Sequence, residues 1–385
     1  MTLRSGRLRL VGGSARTVVT VIALLAAMTT PAFASSGAAA ANRPAAARAC
    51  HKATGPFTVH GTKVTGARGR VFVPYGITVP GLANKDYQDL VPLDDAKISA
   101  TAAFWCANTV RLQIGQDNLV GLKGTKLSKA FLQAIEGEVR VAEKAGLVVV
   151  LNDQTEDESN EIAPTRPTVA FWRDLSRVYG RDRQVIFDLF NQPRLFMEAA
   201  CGNNDDWTFW HRGGIFRGKA YLGMQTLVND VRADGAKNLL WAEGPCFANS
   251  LNGLAGHLLK GGNIVYAFQH PKGPHTAAQW YSDFGWMLFR HVAPIVDAEW
   301  TNFAAAKSEC WPDAPKAIPA YLRYLQRRGI GMTAFQLKKG VLIKTRNLTD
   351  PTRIFTSGKA KWRCAGNLDE GAGSELLAWF RNRNS

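Results

Sequence analysis

Apolar residues along this chain keep two alternating rhythms. Short, nearly unbroken apolar runs recur at Val71 to Ile77, Asn108 to Ile114, Leu147 to Asn152, Val185 to Phe190, Asn238 to Glu243, Asn263 to Phe268, Ala293 to Ala298 and Gly329 to Phe335. Runs this short and this continuously apolar read as strands buried on both faces, the habit of parallel sheets. Between them lie segments of helical period: Phe131 to Lys144, Val169 to Tyr179, Gly218 to Ala233, Ala277 to Arg290 and Lys316 to Arg327. In the first of these, Phe131, Ile135 and Val139 step by four along one face.

Eight strands alternating with helices predict an α/β fold, a (β/α)8 barrel of the TIM-barrel architecture. The competing fold is an open doubly wound sheet. That fold wants a glycine-rich turn after its first strand, and Gly76 to Gly81 does not supply G-x-G-x-x-G. Ahead of the barrel, short β runs with turns at Gly61, Gly66 and Gly69 predict a small N-terminal β-hairpin. Ser374 to Phe380 predicts a closing C-terminal helix. Neither an internal repeat beyond the βα unit nor a second folded domain is visible.

The first residues follow another pattern. Arg4, Arg7, Arg9 and Arg16 precede an apolar stretch from Thr17 to Met28, and Ala32-Phe33-Ala34 follows. Basic, then apolar, then small-x-small is the order of a secretory signal, here residues 1–34. The apolar stretch is short for a membrane span, and no later segment approaches that length. Residues 35–52 are an Ala-rich lead-in and 53–385 the barrel. A secreted, monomeric protein is expected.

Charge changes this picture little. The formal balance is +16, but Lys and Arg are scattered, with only pairs such as Arg327-Arg328 and no basic helix face. Nucleic acid is therefore not expected as a partner; weak attraction to an anionic cell surface is. Six cysteines, all after the signal and none in a C-x-x-C pair, suit disulfides better than a metal site. The strand layout suggests Cys50 with Cys106, Cys201 with Cys246, and Cys310 with Cys364.

Chemistry is expected where the strands end at their carboxyl side. The run Val185 to Phe190 stops at Asn191-Gln192-Pro193, where Pro193 has no N–H to continue a ladder. Three βα units later, Pro294 to Trp300 ends in Glu299 and Trp300. These strand ends, with Asn108 to Arg111, Tyr266 to His270 and the opening Val59 to Val64 and Gly69 to Gly76, resemble glycoside hydrolase family 5, the cellulase-like family. The resemblance covers nearly all of the chain after the signal. It implies a retaining glycosidase acting on β-linked oligo- or polysaccharide, with Glu299 as nucleophile. Arg111 would support that nucleophile, Asn191 would hold a sugar hydroxyl, and His270 would match the sixth-strand histidine. No cofactor or metal is implied.

The family's acid/base glutamate falls on Gln192, and an amide does not titrate in the useful range. Other site positions depart as well: Lys272 stands where a tyrosine is common, Phe335 where a tryptophan stacks on sugar, and the third strand ends in Asn152-Asp153 without histidine. Trp241 and Trp300, at strand ends, are expected to line a sugar cleft, whereas Trp172, Trp207, Trp210 and Trp311 read as core. Glu243 and Asp153 are the strand-end acids that would have to replace the missing proton donor. Two functions follow: a glycoside hydrolase of altered mechanism, or a catalytically inactive carbohydrate-binding pseudo-glycosidase. A third is a wall-interaction protein that uses its positive surface.

Overall fold

A computed structural model describes residues 50–83, 98, 100–155, 159–195, 202–269, 276–300, 302, 310–337, 341–343 and 372–384. The signal and most of the lead-in lie outside these residues. Eight parallel strands close into a barrel: β3 (Tyr75–Leu82), β4 (Thr109–Gly115), β5 (Val148–Gln154), β6 (Val185–Asp188), β9 (Leu240–Glu243), β10 (Ile264–Gln269), β11 (Ile295–Trp300) and β12 (Gly331–Ala334). They are neighbours in that order, and β12 pairs back onto β3. Every residue of β4, β5, β6 and β9 is buried, which is why these strands read as unbroken apolar runs.

Alternation along the strands sorts side chains into two cores. Val148, Val150, Ile186, Trp241, Val265, Ala267, Val296 and Ala298 fill the bore, while their neighbours face the helix layer. The amino end of the bore is plugged by Phe57, Val64 and Phe72, from the hairpin β1 (Thr58–His60) and β2 (Lys63–Thr65) and the chain beside it. Side-chain amides fasten this plug. Asn263 accepts from the Val59 N–H at 3.0 Å and donates to the Phe57 carbonyl at 3.1 Å, and Gln184 Oε1 accepts from the Gly55 N–H at 2.7 Å.

The helices begin where local chemistry permits. Helix α1 (Gln116–Val120) directly follows β4. Helix α2 (Lys129–Lys144) is capped by Ser128, whose Oγ accepts from the Phe131 N–H at 3.3 Å. A Thr165–Thr168 capping box starts α3 (Arg166–Tyr179). The C-terminal helix, residues 373–384, is tied to the amino end of the barrel: Asn384 Nδ2 donates to the carbonyls of His51 and Cys106. The Cys50–Cys106 disulfide lies there too. Cys246 and Cys310 are also disulfide-bonded, and their expected partners Cys201 and Cys364 lie outside the described residues.

The structure departs from the sequence reading in four places. The first strand begins at Tyr75 rather than Val71, because Pro74 has no N–H to pair and Val71 makes only an isolated bridge to Thr65. The expected helix from Gly218 starts only at Met224; Gly213–Phe216 and Lys219–Leu222 instead form an antiparallel hairpin, β7 and β8. Arg217 and Gly218 both take positive φ (50° and 77°), the turn that reverses a two-residue hairpin. A further helix, Asn204–Arg212, precedes it, with Asn203 Oδ1 accepting from the Asp206 N–H at 2.9 Å. The expected helix Ala277 to Arg290 is interrupted by a π turn over Tyr281–Gly285.

Candidate active site

At the carboxyl end of the bore the apolar filling gives way to a polar cluster centred on Arg111 of β4. Its guanidinium is fully buried, and each of its nitrogens donates. Nε meets Asp188 Oδ2 at 2.8 Å, Nη1 meets Glu299 Oε2 at 2.5 Å, and Nη2 meets Asn191 Oδ1 at 2.7 Å and Glu243 Oε1 at 3.0 Å. One residue thus gathers the ends of β6, β9 and β11 around a single cation. Burial works against the charge on Arg111, but Asp188, Glu299 and Glu243 outweigh it and hold its pKa above the ordinary value.

Glu299 reaches the bore through an irregularity in β11. Val296 and Ala298 face inward, and strict alternation would place Trp300 inside with them. The register slips instead: Phe268 pairs with Asp297 but Gln269 pairs with Glu299, and on the other side Asp297 and Trp300 pair with Met332 and Ala334. The extra residue turns Glu299 toward Arg111 and Gln113, whose Nε2 donates to Oε2 at 2.9 Å. Trp300 is turned out by the same bulge. It is 0% exposed and packs against Trp311 and Tyr321 in the helix layer, so it does not line the cleft as expected. Trp241 faces the bore but lies one inward position below Glu243, in the apolar filling and 1% exposed, so it forms the floor rather than a sugar platform. Phe335 is half-buried just past the end of β12.

Gln192 lies four residues past the end of β6. Its backbone is in the left-handed region (φ 47°), which costs a residue with a Cβ about 1–2 kcal/mol. The 2.7 Å hydrogen bond from its N–H to Glu243 Oε2 offsets that strain. Its side-chain Nε2 donates to Gln269 Oε1. Gln269 Nε2 in turn donates to Asn191 Oδ1 at 3.0 Å and to Glu243 Oε1 and Oε2 at 3.0 and 2.8 Å. Gln192, Gln269, Asn191, Arg111 and Glu299 therefore form one continuous network across the mouth of the bore.

Among the acids named from sequence, Glu243 joins this network and Asp153 does not. Asn152 faces inward and donates to Asp188 Oδ2 at 3.0 Å, so alternation puts Asp153 on the other face of β5. Burial, then the charges of Asp117 and Asp188, push the Asp153 carboxyl well up. Burial likewise raises Glu243 and Asp188, Glu243 further through the charge of Asp188. Three carboxyls share one guanidinium, and a proton within the Asp188–Glu243 pair relieves the excess.

Gln113, Gln154, Gln269 and Asp188 belong to the site without having been singled out from the sequence as site residues. Gln154 takes part by accepting from Asn191 Nδ2 at 3.3 Å. His270 and Lys272 lie outside the described residues; Gln269 is the side chain that β10 contributes. No group of three or more His, Cys, Asp or Glu able to hold a metal occurs among the described residues. None of their helices is long and apolar enough to cross a membrane.

A closed eight-stranded barrel with buried acids and amides gathered at the carboxyl end of its strands has the architecture on which glycosidases are built. The chain belongs to the cellulase family, glycosyl hydrolase family 5, whose family model matches residues 73–340. Among solved structures it is similar to a β-glucanase from Saccharophagus degradans, at 18% identity over 87% of this chain and 94% of that one, TM-score 0.61. It is also similar to the catalytic domain of a Thermobifida fusca endoglucanase in complex with cellotetraose, at 14% identity over 85% and 97%, TM-score 0.58. A thermostable, halotolerant cellulase of the same family from an Icelandic hot spring isolate matches at 13% identity over 86% and 96%, TM-score 0.59. At such identities the likeness carries the fold.

Proposed function

We propose that this protein is an exported glycoside hydrolase that takes β-linked glucan oligosaccharides at the carboxyl end of its barrel. It uses Glu299 as a nucleophile without a general acid opposite. The observation that carries this reading is the network itself: Arg111 and Gln113 both donate to Glu299 Oε2, while position 192 holds an amide. General-acid assistance is typically worth 10²–10⁴-fold, about 3–5 kcal/mol of barrier. Glycosides whose leaving group needs no proton are therefore the substrates turned over. The β-glucan assignment rests on family membership and on the cellotetraose-bound endoglucanase among its structural neighbours. Export rests on the N-terminal signal pattern, and the basic surface suits loose contact with an anionic wall.

A second reading, a carbohydrate-binding pseudo-glycosidase, draws support from Glu243. Both of its oxygens are engaged by N–H groups of Arg111, Gln192 and Gln269, which leaves no free edge to offer a ligand. Hydrolysis of an activated aryl β-cellobioside, compared between the wild type and Glu299→Ala, separates the two. Measurable turnover lost in the variant supports the hydrolase; oligosaccharide binding with no turnover in either protein supports the binding protein.

A further inference from the structure

The amides between β6, β9 and β10 are not free to choose which end points where. Both oxygens of Glu243 face donors, and an amide NH2 cannot accept a hydrogen bond. Arg111 can only donate, so Asn191 turns its Oδ1 toward Arg111 Nη2. Gln269 lies between those two acceptors, Glu243 and Asn191 Oδ1, and must turn its Nε2 to both. Its Oε1 is then the end that meets Gln192, and it takes the hydrogen bond from Gln192 Nε2. One atom is left at the end of the row: Gln192 Oε1. Gln192 is half-buried at the mouth of the bore, and among the described residues its side chain bonds only through Nε2, to Gln269.

We infer that Glu243 fixes the polarity of this row of amides, so that residue 192 presents an acceptor oxygen. The site then selects a saccharide that places a free hydroxyl there rather than a glycosidic oxygen. The inference rests on the reading that a β-glucan oligosaccharide occupies this cleft. In such a ligand the group facing residue 192 is the anomeric oxygen of the sugar above Glu299. A free reducing end carries a hydroxyl at that oxygen and donates to Gln192 Oε1. A glycoside carries only an ether oxygen, and two acceptors face each other, leaving the carbonyl unsatisfied in a half-buried place. The protein thus prefers oligosaccharides that end at Gln192 to those that continue past it. Glu243 and Gln269 are positioning residues for that preference, and Gln192 is the residue that touches the ligand.

Titration calorimetry on the full mature chain with cellotriose and with its methyl β-glycoside tests this. The free sugar is expected to bind about tenfold more tightly, the ratio that one net hydrogen bond of ~1.4 kcal/mol gives. In Gln192→Met, which keeps the length and removes the acceptor, the free sugar is expected to fall to the affinity of the capped one. In Gln269→Met, where the Gln192 amide can turn its NH2 outward, the preference is expected to shrink as the capped sugar gains. Equal affinity of the two sugars for the wild type, or a preference that survives in Gln192→Met, overturns the inference and leaves the β-glucan assignment standing. Binding of neither sugar contradicts the β-glucan assignment and the inference with it.

Discussion

Arg111 Nη1 lies 2.5 Å from Glu299 Oε2, although the two residues are 188 positions apart in the chain. The contact spans the barrel from β4 to β11 and joins an entirely buried cation to a carboxylate whose side chain is 12% exposed. Three of the acids around Arg111 come from three different strands. Removing the cation therefore does more than weaken one pair. Arg111→Met leaves Asp188, Glu243 and Glu299 without their common partner, and breaking a buried ion pair from one side costs about 3–5 kcal/mol. Urea denaturation of the variant is expected to show a loss of that size. A loss below 1 kcal/mol would mean that the cluster is not buried as described.

Gln192→Glu restores a titratable group opposite Glu299. Glu243, held close by the backbone of residue 192, will favour the protonated form of the new carboxyl. Hydrolysis of glycosides with poor leaving groups is expected to rise by about 10²–10⁴-fold, with little change for dinitrophenyl glycosides. The ratio of the two rates is the readout, since a mere change in folding would move both together.

The pH dependence of stability should carry a signature far from the site. Glu143, near the end of α2, is pushed up to about 7 from 4.5 by burial and by its hydrogen-bonded neighbour Asp182. A carboxyl with a raised pKa in the folded state binds its proton more tightly there than in the unfolded chain. Its contribution to stability is full below pH 4.5 and is lost as pH rises through about 7. Glu143→Gln, which mimics the protonated form, is expected to flatten this part of the Tm-against-pH curve. An unchanged difference between the two proteins from pH 4.5 to 8 would contradict it.

The Cys50–Cys106 disulfide closes a loop with a sequence separation of 56 and fastens the lead-in beside the C-terminal helix. On chain entropy alone such a link is worth about 4 kcal/mol. The Cys50→Ser, Cys106→Ser double variant is expected to lose stability of that order in denaturant, with the barrel's far-ultraviolet dichroism kept.

The barrel was legible because its strands are apolar on both faces, and no other common fold spaces eight such runs between amphipathic helices. Asn191, Gln192 and Glu299 could be picked out because polar residues end those runs, whereas Arg111, inside β4, stood out only through the resemblance to the family. Trp300 could not be placed, since strict alternation puts it in the bore beside Val296 and Ala298; only the slipped register in β11 exchanges it for Glu299. Gln113, Gln154 and Gln269 carry no signal in one dimension. An amide gains its role from the donors and acceptors around it, and those come from other strands. The hairpin after Arg212 was masked by residues such as Lys219 and Leu222 that suit a helix equally well; the positive φ at Arg217 and Gly218 is a property of the folded turn.

The central claim is that Glu299 attacks sugar although no acid stands opposite. Incubation with 2,4-dinitrophenyl 2-deoxy-2-fluoro-β-cellobioside tests it directly, because dinitrophenolate departs without a proton and the fluorine slows release of the glycosyl-enzyme. Peptide mass spectrometry is expected to find one fluorocellobiosyl group esterified to Glu299 in the wild type and none in Glu299→Gln. An unmodified protein after prolonged incubation, or an adduct on any other residue, would contradict the account.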